Sequence, residues 1–519
     1  MHRALLIDEI LAAIFVHVGF VTPRIHNQAK SLARAARCCS AFKDPALNEL
    51  WKYQTSLLPL FRVLSSLEQR DGIYVRTYLR SSSQQQLRRT KRMLQTLSGP
   101  ISANDLDRCR QYAKRIRTLV YTRQTHIHPC VFISLAQMSC GIPLLPSLQI
   151  LHWRQAVDDD PVIDLLPSPS ITNVDIQLYQ TDWGLFGGRV NDDPSTECSG
   201  HAIQTLLTAL VAQNSPLESL RLAGRVPEPV LDIIEKFPRL QHLDLGMTGR
   251  LLDNEAFNAI ASFRHLKLLN MHADGVSGSR NLAISFPSLE TLEISGSPQS
   301  TCAVIDSVQS DALDSVYLSS SGYYSAVEAR SLMQTFRSRL GSSLRRLHMR
   351  LLLRDHGPAV MDFLDPLLAL PQLNDLHFHI EGKLVVRDVD VGVMASTWSM
   401  LRNFHLSYSR VTDDCRLTLG ALLSFATKCP TLRSISLPLD AQTPFTLPAG
   451  HSPSHPLRSL CLLGDVRVDD AQAVTKALRS LFPKLRHFNA FAWDTKQNLL
   501  WGRIKHAILW HENYGTSSR

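Results

Sequence analysis

The sequence predicts an α/β solenoid, with a parallel β-sheet on the concave face and helices outside, preceded by a small all-α module. Three observations lead there. A short strand-like unit recurs along most of the chain, and helix-like stripes fill the intervals between its copies. The opening segment lacks that unit and carries helical stripes of its own.

The opening segment, residues 1–54, comes first. Leu6, Ile10, Leu11, Ile14, Phe15 and Val18 recur at helical spacing and form one broad apolar stripe. After a turn near Thr22 and Pro23, Leu32, Ala35, Ala36 and Cys39 make a second stripe. Asp44-Pro45 reads as an N-cap with proline at the first helical position, and Leu47, Leu50 and Trp51 give the third helix its apolar side. Three short helices bury little, and this segment holds more large apolar side chains than so small a core can cover. Either the following domain or another protein must cover the remainder.

Residues 55–110 read as a helical connector. Ser81–Gln86 is a polar break within it, followed by basic Arg88, Arg89, Lys91 and Arg92. Without interleaved aromatics, that run reads as a solvated helix face rather than a nucleic-acid patch.

Residues 111–519 carry the repeat. Its unit is an apolar residue, two variable residues, an apolar residue, one variable and another apolar, often introduced by proline, as in Pro238–Leu245 and Pro287–Ile294. Marking the first apolar position gives Leu148, Ile171, Leu217, Leu240, Leu266, Leu289, Leu313, Leu344, Leu373, Leu401, Leu432, Leu457 and Leu485, with Ile116 as an earlier candidate. The spacings run from 23 to 31 residues, except for 46 between Ile171 and Leu217, where one unit is expected to be masked or interrupted. Helical stripes lie between, such as Ile203/Leu206/Leu207/Leu210, Val230/Ile233/Ile234/Phe237, Leu419/Leu422/Leu423/Ala426 and Val474/Ala477/Leu478/Leu481. A strand then a helix at this period is the leucine-rich-repeat pattern, in which stacked neighbours bury what no single unit can.

The opening segment resembles a known family. Leu6–Leu11, Ile14-Phe15, Leu32–Phe42, Asp44–Leu47 and Leu50-Trp51 are similar in order and spacing to an F-box, in the style of F-box-like proteins of basidiomycete fungi. Ile7 and Asp8 stand where that family usually has one or two prolines, which leaves the first turn less rigid. The resemblance implies a substrate receptor of a cullin–RING ubiquitin ligase. A Skp-type adaptor, and through it a cullin, would bind at Leu6, Ile10, Leu11, Ile14, Phe15, Leu32, Ala36, Cys39, Leu47 and Trp51. The repeats would hold a target protein. The other reading is a non-catalytic repeat scaffold whose first segment merely caps the array.

Composition narrows the rest. Over 519 residues, 44% hydrophobic and 19% charged residues describe a globular chain, and a net charge of +9 is a mild excess that does not demand nucleic acid. Ten scattered cysteines form no CxxC pair and read as reduced thiols. No Asn-x-Ser/Thr sequon and no apolar run of membrane-spanning length occur, so residence in the cytoplasm and/or nucleus is expected, with no membrane partner. His126-x-His128-x-Cys130 lacks the second pair a zinc site needs, and Gly184–Arg189 lacks a phosphate-loop pattern. No metal site, cofactor or catalytic constellation is expected.

A target-binding face is the remaining prediction. Alternation places Arg346/His348/Arg350, Asp375/His377/His379 and Asn403/His405/Ser407 on the concave side of successive strands. His348, His377 and His405 then form one row, either a contact stripe that gains charge as pH falls through about 6.5 or ordinary solvated positions. A three-histidine metal site is the remoter option.

Overall fold

The computed structural model describes residues 7–20, 25–75, 89–122, 126–139, 141–156, 160–178, 200–224, 228–247, 252–277, 286–341, 343–355, 357–410, 417–443, 445, 455–464, 466–492 and 494–509. The predicted Leu6 contact, the Ser81–Gln86 break, Arg88 and the Gly184–Arg189 loop lie outside them. The chain forms two compact units, Met1–Arg250 and Leu251–Arg519.

The first unit opens with three helices, α1 (Asp8–Phe20), α2 (Ile25–Ala35) and α3 (Ser40–Lys52). Leu11, Phe15, Leu32 and Ala46 form their core, with Ala35, Ala36, Ala41, Phe42 and Leu50 against it. The expected Asp44 cap is not formed, because Pro45 lies inside α3 and Cys39 is the N-cap. Packing explains the earlier start. Phe42 meets Phe15 edge-on at 5.6 Å, so the turn ahead of the proline buries an aromatic ring. Cys39 consequently belongs to no stripe on α2, which ends at Ala35.

Next come β1 (Tyr53–Gln54), α4 (Leu58–Phe61), β2 (Leu67–Val75), β3 (Arg89–Leu97) and α5 (Ala103–Ala113). β2 and β3 pair antiparallel from Leu67↔Leu97 to Val75↔Arg89. The expected helical connector is therefore largely a hairpin, and Arg89, Lys91 and Arg92 lie on a strand. Ladder pairing overrides the helix preference of its Arg, Lys, Gln and Leu residues. β4 (Thr118–Thr122), β5 (Ile150–Ala156), β6 (Asn173–Leu178), β7 (Ser219–Ala223) and β8 (His242–Met247) continue the unit. β1 pairs with β4, and β4 to β8 pair in sequence order, all parallel. The register stacks Leu119, Leu151, Val174, Leu220 and Leu243 into one buried row.

Because β6 pairs directly with β7, no repeat strand lies between them. The part of the 46-residue spacing that follows β6 holds the helix His201–Ala212 among the described residues, and 179–199 lie outside them.

The second unit repeats the scheme through β9 (Leu268–His272), β10 (Thr291–Gly296), β11 (Ser315–Tyr324), β12 (Arg346–Leu353), β13 (Asp375–Leu384), β14 (Asn403–Arg410), β15 (Ser434–Pro438), β16 (Ser459–Leu463) and β17 (His487–Ala490). All are parallel neighbours in order, and Val316, Leu347, Leu376, Phe404 and Ile435 stand in one register row. Each predicted marker from Leu148 to Leu485 sits two residues before a strand and is buried. Burying one such side chain contributes roughly 2 kcal/mol.

Backbone bonds also tie the residue ahead of each of these strands to the one before it. The N–H of Asn374 donates to Arg345 O at 2.9 Å, that of Arg402 to Asn374 O at 2.7 Å, and that of Arg433 to Arg402 O at 2.7 Å. Helices lie between most successive strands, and four of them are capped by Asp253, Ser325, Thr418 and Asp470, Ser325 forming a full capping box with Glu328. No helix among the described residues is long and apolar enough to cross a membrane.

Candidate functional site

Two surfaces stand out, one in each unit. The first is the outer side of α1. After Asp8 and Glu9 in its first turn, its sequence is apolar to Phe20 except for His17, a composition close to that of a buried helix. Leu11 and Phe15 do face inward, yet Ile7, just ahead of the helix, and Ile10, Ile14 and Val18 remain 46%, 38%, 39% and 38% exposed. Spaced three, four and four residues apart, they share one face.

This divides the residues expected to contact an adaptor. Ile10 and Ile14 are open to a partner. Leu11, Phe15 and Leu32 are buried in the module core and cannot touch one, because so small a module needs them for its own folding. Ala36 packs partly on that core, and Cys39 and Leu47 are half-buried. Trp51 turns to the same chain instead, its ring 4.8 Å from that of Tyr112 on α5. Arg115 adds to this fastening with a 2.6 Å bond to the Asp44 carboxylate.

The second surface lies on the sheet face of the second unit. Burial alternates along β12 and β13, with Leu347, Met349, Leu376 and Phe378 inward and Arg346, His348, Arg350, Asp375, His377 and His379 outward. The register pairs His348 with His377 and His377 with His405, so the expected row forms. The His348 and His377 rings stack at 4.0 Å and 15°, and those of His377 and His405 at 5.4 Å and 17°.

The row is not a plain histidine stripe, because Asp375 organises it. Its Oδ1 lies 3.2 Å from His348 Nε2 and 3.1 Å from His377 Nε2, while Asn403 Nδ2 donates to Oδ2 at 3.1 Å. Burial raises the Asp375 pKa, but the hydrogen bonds from His348, His377 and Asn403 outweigh it and hold this carboxyl well below the usual range. Burial pushes His405 down to about 4, helped by neighbouring His377, His379 and His348. His405 therefore does not charge as pH falls through about 6.5, which corrects the expectation for that member of the row.

The flanking residues are already engaged. Arg346 pairs with both oxygens of Asp314 at 3.0 and 3.1 Å, Arg350 Nε donates to Glu381 at 2.7 Å, and His379 Nδ1 lies 3.0 Å from Ser407 Oγ. A cleft of about 260 Å³ opens beside the stack, lined in part by Asp375, His377, His405, Ser434 and Ser436. Tyr317, its ring 4.7 Å from that of His348, and Ser436 were missed. Both lie four residues after a repeat marker, as the three histidines do, so the same counting rule locates them.

Among the described residues, metal-binding side chains converge in a group of three at one place, His348, Asp375 and His377. His126, His128 and Cys130 form no such group; Cys130 Sγ lies 3.6 Å from Thr96 Oγ1 and its N–H donates to His128 Nδ1.

No family model and no curated protein matches the chain. Among solved structures, a chain in the crystal structure of the Rad7 and Elc1 complex in yeast is similar over 72% of this chain and 76% of its own, with 14% identity and a TM-score of 0.30. A likeness of that size carries neither fold nor function, and the fold rests on the geometry above.

Proposed function

We propose that the chain is a non-catalytic substrate receptor of a cullin–RING ubiquitin ligase. In this reading α1 docks on a Skp-type adaptor through Ile7, Ile10, Ile14 and Val18, and the polar sheet face of the second unit holds a target protein. The observation that supports it is the exposed apolar face of α1, a helix with a composition close to that of a buried one. Receptor and docking module share one polypeptide, so a captured target is held at raised effective concentration near the ligase. Catalysis by this chain is not part of the proposal.

Co-expression with a Skp-type adaptor tests it. The wild-type chain should retain the adaptor through purification, and Ile10→Asp combined with Ile14→Asp should weaken retention by about a hundredfold or more while leaving the fold intact, since neither residue is buried. A wild-type chain that retains no adaptor would overturn the docking role. The capping alternative would then stand, and the Trp51–Tyr112 contact and the β1–β4 pairing favour it independently.

A further inference from the structure

The ligand atoms of His348, His377 and Asp375 lie within 4.8 Å of one another on a sheet face that opens into a cleft. Two donors held about 2.1 Å from one metal ion stand roughly 3.0 Å apart at a right angle and roughly 3.4 Å apart at a tetrahedral one. The observed separations from Asp375 Oδ1, 3.2 Å to His348 Nε2 and 3.1 Å to His377 Nε2, fall between these values. We infer that His348, His377 and Asp375 form a binding site for a divalent transition-metal ion of the zinc class, with its remaining coordination positions open to the cleft.

The donor set decides the class of ion. Two imidazoles with one carboxylate suit zinc, iron, cobalt or nickel, whereas magnesium and calcium favour all-oxygen sets. Each imidazole now shares the same carboxylate oxygen, and a bound cation takes the place of the shared protons. The stacked rings must splay for both Nε2 atoms to meet one ion. Histidine χ2 is a broad torsion, and both side chains are partly exposed, at 28% for His348 and 40% for His377, so the turn needs no repacking of the core.

The support around the site is built in. Asn403 Nδ2 fixes the second carboxylate oxygen at 3.1 Å, the kind of outer contact that orients a metal ligand. Backbone pairing across β12, β13 and β14 fixes the spacing of all three strands. The open side of the site faces His405, Ser434 and Ser436, so a water or a side chain from a bound protein can complete the shell. This inference stands apart from adaptor docking, since its residues all lie in the second unit.

Zinc titration of the full-length chain, stripped of metal with a chelator, tests it by calorimetry and by measured zinc content. The wild-type chain should bind about one zinc ion that is lost in the variants, and cobalt(II) in its place should give the visible bands of a nitrogen- and oxygen-ligated ion. His377→Ala and Asp375→Asn should each weaken binding by about a hundredfold or more, and Asn403→Ala by about tenfold. Asp375→Asn keeps the side-chain shape, and circular dichroism should report an unchanged fold. Wild-type zinc binding that survives both His377→Ala and Asp375→Asn, or no saturable binding at all, would overturn the site.

Discussion

Apolar side chains meet opposite fates in the repeat array and in the module that precedes it. In the array, every marker leucine or isoleucine from Leu148 to Leu485 is buried, because its unit stacks on a neighbour of the same kind. In the module, the described neighbours of α1 are α2 and α3, and Ile7, Ile10, Ile14 and Val18 stay exposed. The difference teaches that hydrophobic periodicity reports burial only where the stacking partner is supplied by the same chain. Where it is not, the same pattern leaves apolar side chains exposed.

The comparison can be broken by experiment. The largest expected effect is in the array: Leu376→Ala should cost about 3 kcal/mol in urea unfolding, as removal of a buried leucine from a packed row does. A loss under about 1 kcal/mol would show that the row relaxes around the gap. Thiol labelling contrasts the regions next. Cys429 is buried, which pushes its thiol up to about 12, whereas Cys38 in the module is exposed. At pH 8, Cys38 should react with iodoacetamide at least about a hundredfold faster than Cys429 in the folded chain, with the two rates converging in denaturant.

A smaller effect measures how the module is fastened. A double-mutant cycle on Trp51→Ala and Tyr112→Ala should give a coupling of about 1 kcal/mol for the ring pair. Zero coupling would detach the module from α5 and sharpen the contrast. The smallest change belongs to Ile14→Ala, which should alter the stability of the isolated chain by less than about 0.5 kcal/mol. A larger loss would mean that Ile14 supports the fold and is not a surplus residue.

Much of the array was readable in the sequence because one rule, counted from each marker, gives the strand start, the inward residues and the outward row. Applied to Leu344, Leu373 and Leu401, it places His348, His377 and His405 side by side, as the ladder does. The rule gives position on a face but not the bond between side chains. That Asp375 would hold two imidazoles depends on side-chain geometry across β12 and β13, which no one-dimensional count contains. The same limit applies to Trp51, whose ring partner lies far along the chain at Tyr112. The β2–β3 hairpin was missed for another reason, since residues with helical preference were drawn into a ladder by their pairing. Pro45 misled because proline marks a helix start only when nothing ahead of it packs, and Phe42 does.

The direct pairing of β6 with β7 has a consequence. β6 and β7 are hydrogen-bonded neighbours from Asn173↔Ser219 to Gln177↔Ala223 although 46 residues of sequence separate each pair, against 23 between Ser219 and its partner His242 on β8. Strand pairing, and not the length of chain between strands, therefore sets which repeats are neighbours, so unequal intervals leave the ladder unbroken.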